Sequence, residues 1–155
     1  MRVTRRARPG DLPALLALYR HLNPDMPALA DERAKDIWED TLSRKGVTVV
    51  VTTVEGEIVS TCLLATVPNL MRGGSPYAFI ENVVTHAAHR RQGHGRATIA
   101  AALRMAWDHG CAQVMLLTGR GRRDPTVPAF YESCGFQQGI KAGFVARCPD
   151  AAHSS

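Results

Sequence analysis

The sequence of 155 residues lacks any apolar run long enough to cross a membrane. A spanning helix needs roughly 18 consecutive apolar residues, so we expect no membrane partner. Several arginines lie near the N-terminus, but no apolar segment with a cleavage pattern follows them, so we predict no secretory signal. Repeats and low-complexity blocks are also absent. The length favours one compact domain over residues 1–148, with 149–155 as a disordered C-terminal tail.

The sequence has few cysteines, and no two of them have C-x-x-C spacing. The four are Cys62, Cys111, Cys134 and Cys148. Three lie in or beside apolar stretches, where buried free thiols are found. A disulfide framework is therefore not expected, and the prediction is a cytoplasmic protein with reduced thiols.

Lysine is scarce: 16 of the 19 basic residues are Arg, and the net charge is +5. Arginine suits planar, bidentate contacts with phosphate or carboxylate, so a phosphorylated cofactor and a nucleic acid are both candidate partners. A genome rich in Arg codons explains the same bias equally well. Nothing resembles a groove-reading helix or an aromatic RNA platform, so we expect no nucleic acid partner.

Hydrophobic periodicity predicts an α/β fold with a mixed central sheet and helices on both faces. Capping residues predict helices that begin at Asp11 and Asp31, with Gly46 ending the second. Trp38 and Trp107 are interpreted as core residues. The predicted strands are 3–8, 47–54, 58–67, 77–85, 113–118 and 141–148, and the later helices are 96–109 and 128–134.

Residues 83–96, with the sequence VVTHAAHRRQGHGR, run from a strand through a glycine turn into a helix. The start of a helix has N–H groups without internal partners and a partial positive charge. Gly93 and Gly95 allow the backbone to approach an anion closely, because neither has a Cβ. Arg90, Arg91 and Arg96 add full charges, so the segment is typical of a diphosphate-binding cradle.

Other interpretations of this segment fit less well. A nucleotide P-loop needs a Gly-Lys pair, which the chain lacks, and Thr98 occupies the third glycine position of a dinucleotide fingerprint. His86, His89 and His94 lie within nine residues, but they lack the glutamate of H-E-x-x-H and straddle a turn. We therefore interpret these histidines as solvated or phosphate-facing and expect no metal.

Two motifs together resemble a known family. Arg90-x-x-Gly93-x-Gly95, between a strand and a long helix, is similar to the coenzyme A signature of the GNAT superfamily of acyl-CoA-dependent N-acetyltransferases. Residues 129–136, AFYESCGF, are similar to that family's F-Y-E-x-x-G-F segment and follow about 40 residues later. The resemblance implies a GNAT-like sheet in which a splayed parallel strand pair, with a bulge in strand 77–85, holds acetyl-CoA.

The resemblance also implies roles for individual residues. Cofactor contacts are implied for Val83, Val84, Thr85, Arg90, Arg91, Gln92, Gly93, His94, Gly95, Arg96 and Phe130. Arg120, Arg122 and Arg123 either reach the cofactor's 3′-phosphate or an acidic substrate, or lie in a solvated loop. Asp124 stands where many family members have Asn, and it receives no cofactor role.

Acetyl transfer needs a neutral amine, a donor to the oxyanion and a proton for the departing thiolate. Tyr131 stands where the family has the tyrosine usually proposed as the acid. A phenol with a pKa of about 10 stays protonated at neutral pH, so it can give a proton to a thiolate. Glu81, within an apolar strand, is the candidate base, since desolvation raises the pKa of a carboxylate. The alternatives are a core role for Tyr131 and, for Glu81, orienting a water or pairing with Asn82 or an arginine.

The predicted function is N-acetyl transfer from acetyl-CoA to a primary amine by direct transfer in a ternary complex. The alternative is a catalytically silent acyl-CoA-binding or sensing module of the same fold. The acceptor is expected to be a small-molecule or peptide amine, met by residues 21–31 and 141–147. A homodimer is the family-level expectation.

Overall fold

The computed structural model describes residues 1–119 and 124–149, in two compact units, Met1–Leu116 and Leu117–Ser155. The first unit contains all five strands and three of the four α-helices of the described residues. Its elements are β1 (Arg2–Arg6), α1 (Leu12–Tyr19), α2 (Asp31–Ser43), β2 (Val47–Val54), β3 (Glu57–Val67), β4 (Tyr77–Thr85), α3 (His94–Asp108) and β5 (Gln113–Met115). The second unit contains α4 (Thr126–Ser133). The predicted domain bounds, 1–148 with a tail, stay a prediction, and residues 150–155 lie outside the described part.

The five strands form one mixed sheet in the order β1-β2-β3-β4-β5. The pairs from β1 to β4 are antiparallel, whereas β4 and β5 are parallel. Helix α3 connects that parallel pair, as a crossover must. The predicted mixed α/β fold class is confirmed.

The β2–β3 hairpin follows from its two-residue turn. Glu55 has φ 50° and Gly56 has φ 88°, so both central residues are in the left-handed region. This is the turn type whose twist matches two antiparallel strands. The dense β-branched residues of β2 favour the extended chain on one side of it.

Helices cover both faces of the sheet. Val49 and Val51 of β2 belong to one buried cluster with Leu15 of α1 and Trp38 of α2. Thr52, which points to the opposite face, hydrogen-bonds α3 instead. Because side chains alternate along a strand, this single strand separates the two layers.

Gly46 lies between α2 and β2 with φ 86°, and a Cβ there would be 2.9 Å from the carbonyl oxygen of Thr66. The Thr66 N–H donates to the Gly46 carbonyl at 2.7 Å. No L-residue fits this close approach, so Gly46 is required where the chain enters β2. The helix itself ends earlier than the predicted stop, at Ser43, with the extended Arg44 as its C-cap.

Three sequence expectations are wrong. Residues 141–148 form no strand and are exposed. Trp107 is 50% exposed, because its position on α3 faces away from the buried stripe of Ile99, Ala102 and Ala106. The strand predicted over 113–118 ends at Met115 and is only half-buried.

In residues 1–119 and 124–149, no helix is long and apolar enough to cross a membrane.

Candidate functional site

A bulge interrupts β4 where it pairs with β3. Between the pairs Thr61↔Val84 and Leu63↔Glu81, two residues of β4 lie opposite one residue of β3. Asn82, inside the bulge, has φ 52°, a region that Asn tolerates better than most residues. A bulge bends its strand and increases the local twist. The bulge that the resemblance implied is therefore present.

Pairing between β4 and β5 ends before the bulge. Strand β5 pairs only with Tyr77, Ala78 and Phe79. In the described residues, no strand joins that edge of β4 from Ile80 to Thr85. The predicted splayed parallel pair is confirmed, and it leaves a strand edge with backbone groups available to a ligand.

A serine of β3 fixes the end of β4. The Ser60 hydroxyl donates to the carbonyl of Val84 at 3.1 Å. Its oxygen lies 3.0 Å from the hydroxyl oxygen of Thr85, which must then be the donor. Val84 is buried, and Val83 and Thr85 are half-buried. The three predicted strand contacts therefore lie on a rigid segment.

The loop after β4 presents a continuous row of backbone amides. Among described residues, the N–H groups from Arg91 to Arg96 make no hydrogen bond. Arg91 has φ 61°, and Gly93, the N-cap of α3, has φ 79°. Alternation of right- and left-handed residues turns successive N–H groups toward one anion. The positive end of a 15-residue helix adds to this attraction.

Two of the predicted ligand side chains brace this loop. The Arg90 Nε donates to the carbonyl of Thr85 at 3.3 Å. The Gln92 amide nitrogen donates to the carbonyl of Ala88 at 3.2 Å. The loop is therefore pre-shaped by its own side chains, while its main-chain amides stay available.

The histidines near the loop form a row of rings. Ring centroids are 4.2 Å apart for His21 and His86, 5.4 Å for His86 and His89, and 5.9 Å for His89 and His94. Burial, then the charges of Arg2 and His89, lowers the pKa of His94. Desolvation and then His21 lower the pKa of His86. His94 is only 8% exposed, so of the two expectations for this ring, solvated or phosphate-facing, the solvated one does not hold, and the phosphate-facing one stays a prediction.

No metal site accompanies these rings. Within the described residues, no group of three His, Cys, Asp or Glu side chains could hold an ion.

A buried chain of hydroxyls ties the first turn of α3 to the sheet. Thr98 donates to the carbonyl of His94 at 3.0 Å, so its oxygen accepts from Thr52 at 2.7 Å. Thr52 in turn accepts from Thr4 at 2.9 Å. Thr52 and Thr98 are fully buried. Sequence reasoning missed this chain, because it joins three elements that are distant in sequence.

Thr98→Val should lower the free energy of unfolding by about 1–3 kcal/mol, because the buried Thr52 hydroxyl would lose its acceptor. Valine has the same shape and nearly the same helix propensity, so packing changes little. Urea unfolding measures the loss. Thr98→Ser keeps the hydroxyl and is the matched control. Thr98→Val keeps the methyl group and loses only the hydroxyl, so wild-type stability in this variant would contradict a stabilising role for the hydrogen bond.

The candidate base lies in a different environment from the one predicted. Glu81 is exposed, because side chains alternate along a strand and Glu81 lies on the face of β4 opposite the buried Ala78 and Ile80. The desolvation on which its assignment depended is absent. An exposed carboxylate can still accept a proton directly or through a water.

In the second unit, α4 holds the other predicted catalytic residue. Tyr131 is half-buried, with its ring 5.1 Å from that of Phe130 and 6.1 Å from that of Phe136. The Phe136 N–H donates to the Tyr131 carbonyl at 3.1 Å, across a turn where Gly135 has φ 98°. The F-Y-E-x-x-G-F pattern therefore describes a helix end that returns one aromatic ring onto the tyrosine.

Asp124 lies two residues before the start of this helix. Its carboxylate accepts from the N–H of Thr126 at 2.9 Å and from the Thr126 hydroxyl at 2.6 Å. This is the role of a side chain that replaces missing helical partners. Arg120, Arg122 and Arg123, for which a phosphate contact was considered, lie outside the described residues.

The chain is similar to known acetyltransferases. Residues 15–136 match the Acetyltransferase (GNAT) family. A glucosamine 6-phosphate N-acetyltransferase of Trypanosoma brucei brucei is 31% identical over 130 residues, which are 83% of this chain and 84% of that protein. A solved structure of an acetyltransferase homologue from Agrobacterium tumefaciens str. C58 is 49% identical, with a TM-score of 0.89, and the match covers 94% of this chain and 99% of the other.

A second relative comes from rice (Oryza sativa subsp. japonica) and is named "Probable glucosamine 6-phosphate N-acetyltransferase 2". It is 28% identical over 118 residues. The match covers 76% of this chain but only 62% of the rice protein.

Proposed function

Because the chain belongs to the GNAT acetyltransferase family, whose members are acetyl-CoA-dependent, we propose that it moves an acetyl group to a primary amine by direct transfer in a ternary complex. The observation that carries this proposal is the row of unbonded amides from Arg91 to Arg96 at the start of α3. The coenzyme's diphosphate requires several N–H donors that converge on two linked phosphates. The neighbouring free edge of β4 suits the amide groups of the pantetheine arm.

Bound acetyl-CoA would supply an activated thioester, and the protein must deliver a neutral amine and remove a proton. An ammonium has no lone pair, so Glu81 would accept its proton directly or through water. The amine nitrogen then attacks the thioester carbonyl, and a backbone N–H exposed by the β4 bulge would donate to the oxyanion. When the C–S bond breaks, Tyr131 would give its phenolic proton to the departing thiolate, and the second proton of the acylated nitrogen would return to the phenolate.

The cysteines favour direct transfer over an acyl-enzyme. Burial raises the pKa of Cys62 to about 12 and also raises that of Cys111. A thiol is nucleophilic only as a thiolate, so neither is prepared to accept the acetyl group at neutral pH. No disulfide joins any of the four cysteines, all of which lie in the described part of the chain.

For the acceptor, we propose a primary amine on a small molecule. The two curated relatives are named for acetyl transfer to glucosamine 6-phosphate, which makes that amino sugar the first acceptor to test. A peptide amine stays open. The cytoplasmic location, the homodimer and the absence of nucleic acid and membrane partners stay predictions.

The test is a thiol-release assay with acetyl-CoA and an amine panel. The panel contains glucosamine 6-phosphate, glucosamine, an aminoglycoside, free amino acids and a peptide with a free N-terminus. Titration calorimetry with coenzyme A runs in parallel. Release of thiol with any amine supports the proposal and names the acceptor class. Binding without turnover favours the silent sensor, and no binding at all contradicts the coenzyme cradle.

A further inference from the structure

The sheet brings the start of β1 and the loop after β4 to the same end of the strands. Arg2, the first residue of β1, pairs with Val54 at the end of β2, and β3 begins next to it after the hairpin. Thr85, the last residue of β4, pairs with Ser60 near the start of β3. The N-terminus of β1 and the loop that leads to α3 therefore lie at the same end of the sheet, although they are far apart in sequence.

From this end of the sheet, the Arg2 side chain lies close to the N-cap of α3. Its Nη1 lies 3.6 Å from the position that a Cβ on Gly93 would occupy. Among described residues, Arg2 makes no ion pair and no side-chain hydrogen bond. Glu55, the acidic residue of the adjacent hairpin turn, pairs with the N-terminal ammonium group instead. An exposed guanidinium thus lies near the helix start without a counter-charge.

The neighbouring His94 also has a polar atom without a partner. It is 8% exposed, and in the described part of the chain its Nδ1 is buried without a hydrogen-bond partner. Arg2 is one of the charges that disfavour its protonation, and His89 is another. Basic groups from β1, the loop and α3 therefore meet where the helix amides also attract negative charge. An anion at this point would relieve the repulsion among them.

We propose that Arg2 is a coenzyme-binding residue whose guanidinium contacts a phosphate group of the coenzyme held at the start of α3. The inference rests on the proposed function. A guanidinium binds phosphate through two parallel N–H donors, which suits either the diphosphate or the 3′-phosphate monoester. Each of these groups has a truncated analogue that lacks it, so the two can be separated by experiment.

The experiment measures dissociation constants by calorimetry for the wild type, Arg2→Gln and Arg2→Lys. Arg6→Gln is the matched control, because Arg6 is an exposed arginine on the same strand and the same face, four residues further along. Arg2→Gln should weaken coenzyme A binding about 10- to 100-fold, the loss expected for a hydrogen-bonded charge pair. Arg2→Lys should lose less, and Arg6→Gln should change affinity less than about 2-fold.

Dephospho-coenzyme A, which lacks the 3′-phosphate, and pantetheine, which lacks all phosphates, locate the contact. If the loss persists with dephospho-coenzyme A and vanishes with pantetheine, Arg2 binds the diphosphate. If it vanishes with dephospho-coenzyme A, Arg2 binds the 3′-phosphate.

Wild-type affinity in Arg2→Gln, or an equal loss in Arg6→Gln, would overturn the inference while the coenzyme cradle itself still stands. A wild-type protein that binds no coenzyme A would overturn both. The two failures are therefore distinguishable from one set of titrations.

Discussion

Gly93→Val is expected to weaken coenzyme A binding by about 10- to 100-fold. Gly93 has φ 79° as the N-cap of α3, and a β-branched residue in that region is strained by about 1–3 kcal/mol. The loop can escape this strain by rotating away from the native conformation, which misaligns the amides from Arg91 to Arg96. Coenzyme binding must then restore the strained loop, so the strain appears as lost affinity. Calorimetry with coenzyme A measures the loss.

Two causes can be separated here: strain in the backbone, and a side chain that would occupy the path of the diphosphate. Within the protein, a Cβ at Gly93 would meet only Arg2, at an ordinary 3.6 Å, so backbone strain is the cost that the protein itself imposes on this substitution. Gly93→Asn therefore distinguishes the two causes, because Asn tolerates positive φ and should retain most of the affinity. Gly10→Val, at a glycine with open space and no positive φ, is the control for general damage. Equal losses for Asn and Val would contradict the strain argument.

Much of the fold could be predicted because its signals are local. The β2–β3 hairpin is marked by β-branched runs around Glu55-Gly56, and strand β4 was predicted with the bounds that the structure has. Helix α3 begins at His94, two residues before its predicted start, because Gly93 already caps it. Turn residues and periodicity act within a few positions, and sequence reasoning detects them directly.

The errors concern features that tertiary contacts decide. Apolar residues in 141–148 suggest a strand, but extended chain becomes a strand only where a neighbour pairs with it, and Phe144 and Val145 are exposed. Trp107 adjoins the buried Ala106 in sequence, yet on a helix it is turned about 100° away. Glu81 was predicted to be desolvated by its apolar strand, but it lies on the face of β4 opposite the buried Ile80 and is exposed.

The same distinction separates the parts of the site. The cradle is a contiguous segment, so its glycines and arginines could be found from spacing alone. Arg2 and the chain from Thr4 to Thr98 depend on which strands are neighbours, and that order is not written in any local pattern. Periodicity could place each residue on a face, but it could not bring those faces together.

Tyr131→Phe is expected to lower kcat by about 10²–10⁴-fold, the range for loss of a general acid, with little change in coenzyme affinity. The substitution removes one hydroxyl and keeps the ring, so the edge contacts with Phe130 and Phe136 persist. If the phenol protonates the departing thiolate, only the transition state loses stabilisation. Single-turnover thiol release, with the enzyme in excess over acetyl-CoA and the amine saturating, measures this step without interference from product release.

Tyr77→Phe is the matched control, because Tyr77 lies at the start of β4 and its ring also packs on a phenylalanine, Phe79. It should retain the wild-type rate. A chemistry-limited rate that is unchanged in Tyr131→Phe would remove this residue from the mechanism, and solvent would then have to protonate the thiolate. Thioester donors with more acidic thiols separate these cases further: a better leaving group needs less protonation, so it should reduce the defect of Tyr131→Phe only if the hydroxyl acts as the acid.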